Sequence, residues 1–149
     1  MGDPRVDVLE AIEAIRRLKA RYFRMLDTGD WDGLVRVFTD EVVVDIEGGL
    51  GPSSGPRTQL AVDFVDGVRR ALTGAVTVHH GHMPEIDVHS AVSASGTWAM
   101  ADEIWFPASS PVAHLRGAGH YHETYTRLDG GWRIASMKLT RLHVDIEKA

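Results

Sequence analysis

From Ala75 onward the chain reads as strand after strand, and no other feature constrains its fold as tightly. Between Ala94 and Phe106 every second residue belongs to one set: Ala94, Gly96, Trp98, Met100, Asp102, Ile104 and Phe106. A strand turns successive side chains to opposite faces, so this set is the inward face of a half-buried strand. His114 to Arg127 repeats the pattern, with Gly119, Tyr121, Glu123 and Tyr125 on one face and His120, His122, Thr124 and Thr126 on the other. Leu128-Asp129-Gly130-Gly131 is a tight hairpin turn. Trp132 to Val144 follows, with Arg133, Ala135, Met137, Leu139, Arg141 and His143 expected on a shared face. Strands joined by such short turns form an antiparallel meander.

The first half is helical. Asp3 can cap a helix whose first residue is Pro4. Val8, Ile12, Ile15, Leu18, Tyr22 and Met25 recur at three and four and form one apolar stripe, with Arg16, Arg17, Lys19 and Arg21 mostly off it. Thr28-Gly29 ends the helix. Asp30 caps a second, short helix with Trp31, Leu34, Val35 and Phe38 on its buried side. Asp40 to Glu47 alternates as a strand. Gly48 to Pro56 is a breaker-rich loop too short to separate domains. Thr58 to Leu72 reads as a third helix, with Leu60, Phe64, Val68 and Leu72 or their neighbours inward. Helices grouped at one end of an antiparallel sheet give an α+β domain, here one domain over residues 1–149. A curved sheet over a long helix leaves a pocket between them.

Composition narrows the function. A formal charge of -5 without any basic run argues against nucleic acid. With no cysteine there is neither a disulfide nor a thiolate metal site. No apolar run reaches the ~20 residues that span a bilayer, and the acidic start MGDPRVDVLE does not read as a signal peptide. The expectation is a soluble, cytoplasmic protein.

The segment VTVHHGHMPEIDV, residues 76–88, holds three of the eight histidines. On a strand, His80 and His82 share one face, and His79 shares the other with Thr77 and Met83. A buried imidazole needs a partner for each ring nitrogen. His79, Asp102 and Arg141 lie on three different strands and are each unusual as surface residues. A histidine beside a carboxylate is a plausible general base, and Arg141 is suited to an anionic group or a developing oxyanion. The alternative is that Asp102 and Arg141 simply pair inside the core. Asp27 sits in the last turn of the first helix, where an acid opposes the helix dipole, unless it already belongs to a turn. The pairs His80/His82 and His120/His122, with Glu85 or Glu123, leave a metal site as a competing use of these histidines. No G-x-S-x-G elbow, G-x-G-x-x-G or phosphate loop occurs.

The opening IEAIRRLKARYFRMLDTGDWDGLVRVFTDEVVVDI resembles the start of a SnoaL-like domain of the nuclear transport factor 2-like superfamily. VHHGHMPEIDV and the ending GHYHETYTRLDGGWRIASMKLTRL continue the likeness over nearly the whole chain. The resemblance implies a cone-shaped α+β barrel, with three N-terminal helices packed on a curved, mostly antiparallel sheet. It points to scytalone dehydratase, bile acid 7α-dehydratase and hexachlorocyclohexane dehydrochlorinase, hence to elimination by a His–Asp pair with no metal and no organic cofactor. Carried over by position, the helix Tyr and Asp fall on Tyr22 and Asp27, the base on His79, the next acid on Asp102 and the late basic residue on Arg141. Five residues are expected to line the substrate pocket: His82, Trp98, Met100, Tyr121 and Glu123. The expected function is a cofactor-independent lyase acting on a small, largely apolar or polycyclic substrate. An isomerase or cyclase of the same fold, or a binding-only accessory subunit, is the alternative. A homodimer is expected, because relatives pair sheet to sheet. At ~100° per residue Asp27 lies about 140° around the helix from Tyr22, so both reach one pocket only if the helix end turns inward.

Overall fold

The computed structural model describes residues 2–48 and 55–149. Most of the expected loop at Gly48–Pro56, residues 49–54, lies outside them. Helix α1 spans Pro4–Thr28, with the Asp3 carboxylate accepting from the Arg5 N–H and Gly29 closing it in the left-handed region. Its buried residues are Ala11, Ile15, Leu18, Lys19, Tyr22 and Leu26. The stripe therefore runs as expected from Ile15 to Tyr22, but Val8 is exposed and Lys19 is wholly enclosed. Helix α2 spans Trp31–Val35, capped by Asp30; Phe38 opens strand β1, Phe38–Ile46, instead of extending the helix.

The segment expected to begin a third helix at Thr58 is first a strand. Strand β2, Arg57–Leu60, pairs antiparallel with β1, and helix α3 runs only over Ala61–Ala71. Leu60 itself is exposed, and its neighbour Ala61 and Phe64's neighbour Val65 are the buried residues of α3, with Phe64, Val68 and Leu72 partly buried against the core. The physical reason is the open edge of β1. Its N–H and C=O groups need partners, and Arg57–Leu60 supplies them before the chain turns helical.

Strands β3 (Val76–Ser90), β4 (Ser93–Trp105), β5 (Val112–Leu128) and β6 (Gly131–Lys148) form the expected meander. The six-stranded sheet has the order β2-β1-β6-β5-β4-β3, with β1 parallel to β6 and every other pair antiparallel. The β5–β6 turn uses Asp129 and Gly130 at φ 45° and 78°, a pair of left-handed residues that matches the twist of a hairpin.

Two bulges in β6 overturn the simple alternation. Ser136 faces Thr124 but Ile134 faces Tyr125, so Ala135 is an extra residue. Each extra residue moves everything beyond it to the other face. Trp132 and Ile134, rather than Arg133 and Ala135, are therefore buried with Met137 and Leu139. A second bulge at Leu142 sends His143 to the outer face while Arg141 stays inward, since His143 pairs with Ala118 and Arg141 with Gly119. A Cβ at Gly119 would lie 1.9 Å from the Thr140 carbonyl oxygen, so the bulge that aims Arg141 needs glycine opposite it. A third irregularity lies between His82 and Glu85, where Met83 takes φ 36° and is exposed instead of sharing the inward face with His79.

The core lies between α1 and the inward face of the sheet. Ile15, Leu18, Tyr22 and Leu26 meet Trp98, Met100, Tyr121, Tyr125, Ile134, Met137 and Leu139. Each large apolar side chain so buried contributes roughly 1.5–3 kcal/mol, enough together to hold charged groups among them.

Candidate active site

Four charged or titratable side chains from four elements meet where the end of α1 crosses the sheet. Asp27 comes from the last turn of α1, His79 from β3, Asp102 from β4 and Arg141 from β6. His79 and Asp102 are cross-strand partners, so their adjacency is fixed by register.

Asp27 holds three groups of β3. Its Oδ1 lies 2.6 Å from His79 Nδ1 and accepts from the Thr77 hydroxyl at 2.9 Å, while Oδ2 accepts from the His79 backbone N–H at 2.9 Å. Burial pushes the Asp27 carboxyl up. The His79 ring, its backbone N–H and the Thr77 hydroxyl outweigh that and hold it below the usual carboxylate range. An acid in the last turn of a helix loses about 0.3–1 kcal/mol to the dipole, and these three bonds offset it. The helix does not turn inward to bring Asp27 there. It is regular to Thr28, and β3, the edge strand of the sheet, packs along its flank. Tyr22 and Asp27 thus both meet the sheet from different sides of one helix.

With Nδ1 facing a carboxylate, the neutral ring carries its proton there and its Nε2 lone pair faces outward from Asp27. Nε2 lies 3.9 Å from Asp102 Oδ2. Asp102 is in turn clamped by Arg141, Nη1 to Oδ1 at 2.6 Å and Nη2 to Oδ2 at 2.8 Å. Arg141 Nη1 also lies 3.7 Å from the Met100 sulfur, and its buried Nε has no hydrogen-bond partner among the described residues. A Cβ on Gly117 would fall 2.2 Å from Arg141 Nη1 and 2.6 Å from Asp102 Oδ1, so the clamp crosses β5 through the space that glycine leaves. A cavity of about 370 Å³ lies on the outer face of the sheet behind the cluster, lined mainly by Val78, His80, Ala101, Glu103, Trp105 and His143, and it reaches Asp102 and Gly117 only from that side. A larger groove of about 860 Å³, beside the first half of α1, contains none of the expected site residues.

Tyr22 is buried, with its ring edge-on to Phe23, Phe38 and Tyr121. Burial, and the nearby charges of Glu123, Asp102 and Asp27, push its phenol far above the ordinary value, so it is a neutral hydrogen-bond donor. The Tyr121 phenol is raised in the same way, with burial the main cause.

The remaining pocket expectations divide. Met100 and Tyr121 stand beside the cluster. Trp98 and Glu123 are committed to a separate buried network: the Trp98 indole N–H donates to the Tyr125 hydroxyl at 2.9 Å, which donates to Glu123 at 2.6 Å. The other Glu123 oxygen lies 2.5 Å from Lys19 Nζ, with both side chains fully buried. Lys19 was missed by the helical stripe, yet its Nζ sits 3.8 and 3.6 Å from the ring centroids of Tyr22 and Tyr121. The only local signal was its place beside Leu18 on the flank of the stripe. His82 stands on the exposed outer face, edge-on to His80 with 6.0 Å between ring centroids, and is not brought to the cluster. His120 and His122 lie on the outer face of β5, and among the described residues no three of His, Asp and Glu are grouped to hold a metal ion. No described helix is long and apolar enough to cross a membrane.

A curved sheet backed by a long helix, with a histidine between two carboxylates inside it, defines an α+β domain built around an enclosed polar cluster. The chain belongs to the SnoaL-like domain family, whose model matches residues 7–138, and its fold is that of the nuclear transport factor 2-like superfamily. Over 142 residues it is 22% identical to the probable cyclase FGR4 of Gibberella zeae, covering 90% of this chain and 93% of that protein. The Kfla4162 protein of Kribbella flavida has a similar structure at 26% identity and a TM-score of 0.80, covering 96% of this chain and 95% of that one. A type 2 hexachlorocyclohexane dehydrochlorinase, LinA, shares the fold at 20% identity and a TM-score of 0.77, covering 95% and 91%.

Proposed function

We propose that the protein is a lyase that eliminates water or a halide from a small, largely apolar molecule, with His79 as general base and no cofactor. The observation that carries this reading is the bond from Asp27 to His79 Nδ1, at 2.6 Å, which leaves Nε2 as a bare acceptor inside the domain. In the proposed step Nε2 takes a proton from carbon. The C–H pair becomes the new C=C bond, and the neighbouring C–O or C–halogen bond breaks with its electrons on the leaving group. The resulting imidazolium is stabilised by Asp27 on one side and faces Asp102 on the other. Tyr22, neutral and buried, donates to the departing oxygen or halide. Family membership, with a dehydrochlorinase and a probable cyclase among proteins of similar sequence or fold, supports a lyase or isomerase role.

The likeness to a probable cyclase favours a second use of the same base, in which the proton is returned to another atom and nothing leaves. Incubating the protein with a panel of β-hydroxy ketones and vicinal halohydrocarbons in D2O, with mass spectrometry of the products, separates the two. Elimination loses the mass of water or hydrogen halide; isomerisation keeps the substrate's composition and raises the mass only by the deuterium that replaces the transferred hydrogen. No change in any substrate, with the wild-type fold intact, would favour a protein that binds without turnover.

We also propose a cytoplasmic homodimer. Light scattering at micromolar concentration tests the dimer, and a monomeric mass would contradict it.

A further inference from the structure

Asp102 and Arg141 are the charged groups that flank His79 on the side away from Asp27. A buried, unpaired guanidinium is a strong site for carboxylates and phosphates, because its planar fork matches two oxygens at once. Arg141 is buried to nine-tenths of its side chain and is aimed at the cluster, yet both of its terminal nitrogens are spent on Asp102, itself 3% exposed. The cation is cancelled where it stands. The negative charge left over belongs to Asp27, directly behind the imidazole. An anion approaching Nε2 would meet no free positive charge and two carboxylates.

We infer that Asp102 is a specificity-determining residue: by cancelling Arg141 it confines the site to uncharged ligands such as ketones, alcohols, phenols and organic halides, and refuses carboxylates and phosphates. This rests on reading the cluster as the ligand site. Its position supports the inference, since Asp102 Oδ2 is 3.9 Å from His79 Nε2 and both side chains are buried on the inward face of the sheet. Gly117 supports it too, because any side chain there would collide with the clamp.

Two probes with one ring system and different charge test it: 2-naphthol, neutral at pH 7, and 2-naphthoate. Binding is measured by titration calorimetry, on wild type and on Asp102→Asn, which keeps the side-chain shape and releases the guanidinium. Wild type is expected to bind 2-naphthol at least tenfold more tightly than 2-naphthoate. Asp102→Asn is expected to shift that ratio at least tenfold toward 2-naphthoate, which should also raise its Tm. Equal wild-type affinity for the two probes, an unchanged ratio in Asp102→Asn, or no binding of either probe to either protein would overturn the inference. Asp102→Ser serves if the Asn variant does not fold, and the wild-type ratio stands without any variant. Because the readout is binding, a lack of turnover would defeat the elimination reading alone, and a lack of charge selectivity would defeat this one alone.

Discussion

Asp27 grips His79 at two points, one carboxylate oxygen 2.6 Å from ring Nδ1 and the other accepting the backbone N–H at 2.9 Å. The ring and the strand that carries it are therefore fixed by the same side chain, which belongs to a different element. Asp27→Asn keeps the size but replaces an acceptor with a donor facing an N–H. It should cost about 1–3 kcal/mol, read as a lower urea midpoint with unchanged slope. A midpoint within error of wild type would show that the contact does not hold in solution.

The same carboxylate sets a pH dependence. Its folded-state pKa lies below the ordinary value of 3.8, so the unfolded chain binds its proton first as pH falls. The stability it contributes is fully present above the unfolded value and is lost as pH drops through the folded value. Urea unfolding of wild type and Asp27→Asn should differ clearly at pH 5 and converge as pH falls below about 4. A gap that persists or widens below about pH 4 would reverse the sign and contradict the bonding.

Lys19 and Glu123 form a second pair, 2.5 Å apart and fully enclosed between α1 and β5. Burial pushes the Lys19 ammonium down, and Glu123 opposes that shift. Lys19→Met leaves a buried carboxylate unpaired and should cost about 3–5 kcal/mol, while Lys19→Met with Glu123→Gln should be markedly less destabilised than the sum of the single changes. Additive effects in thermal or urea unfolding would mean that the two groups do not interact.

Gly117 gives a steric test. Alanine would bring a methyl group into the space of Arg141 Nη1 and Asp102 Oδ1. Gly117→Ala should displace the clamp with little loss of secondary structure, seen as unchanged far-ultraviolet circular dichroism and altered selectivity between 2-naphthol and 2-naphthoate. Unaltered selectivity would place ligand away from the clamp.

What was legible in the sequence follows from how local each signal is. Asp3-Pro4 and Gly29 bound α1 correctly because capping and glycine stops depend on neighbours in the chain. His79, Asp27, Asp102 and Arg141 stood out because each broke a local pattern, and the structure brings all four together. Lys19 did not stand out, because its partner is 104 residues away and a lysine beside the apolar stripe reads as solvated. The faces of β6 were misread because a bulge leaves no mark in a period of two; Ala135 looks like any other alternating residue. Thr58–Leu60 reads as helix in the sequence because the strand pairing of Arg57–Leu60 depends on the open edge of β1, which the segment itself does not encode.

The most direct test of the central claim is the tautomer of His79, read from ring nitrogen-15 shifts and couplings at pH 8, with His79→Gln used for assignment. Free imidazole side chains in water favour the proton on Nε2, so a ring held by Asp27 is distinguishable from an unheld one. The expected result is a proton on Nδ1 and a bare Nε2 in wild type, reverting to the Nε2-protonated form in Asp27→Asn. A wild-type ring protonated on Nε2 would leave no base facing the cluster and would contradict the proposed role of His79.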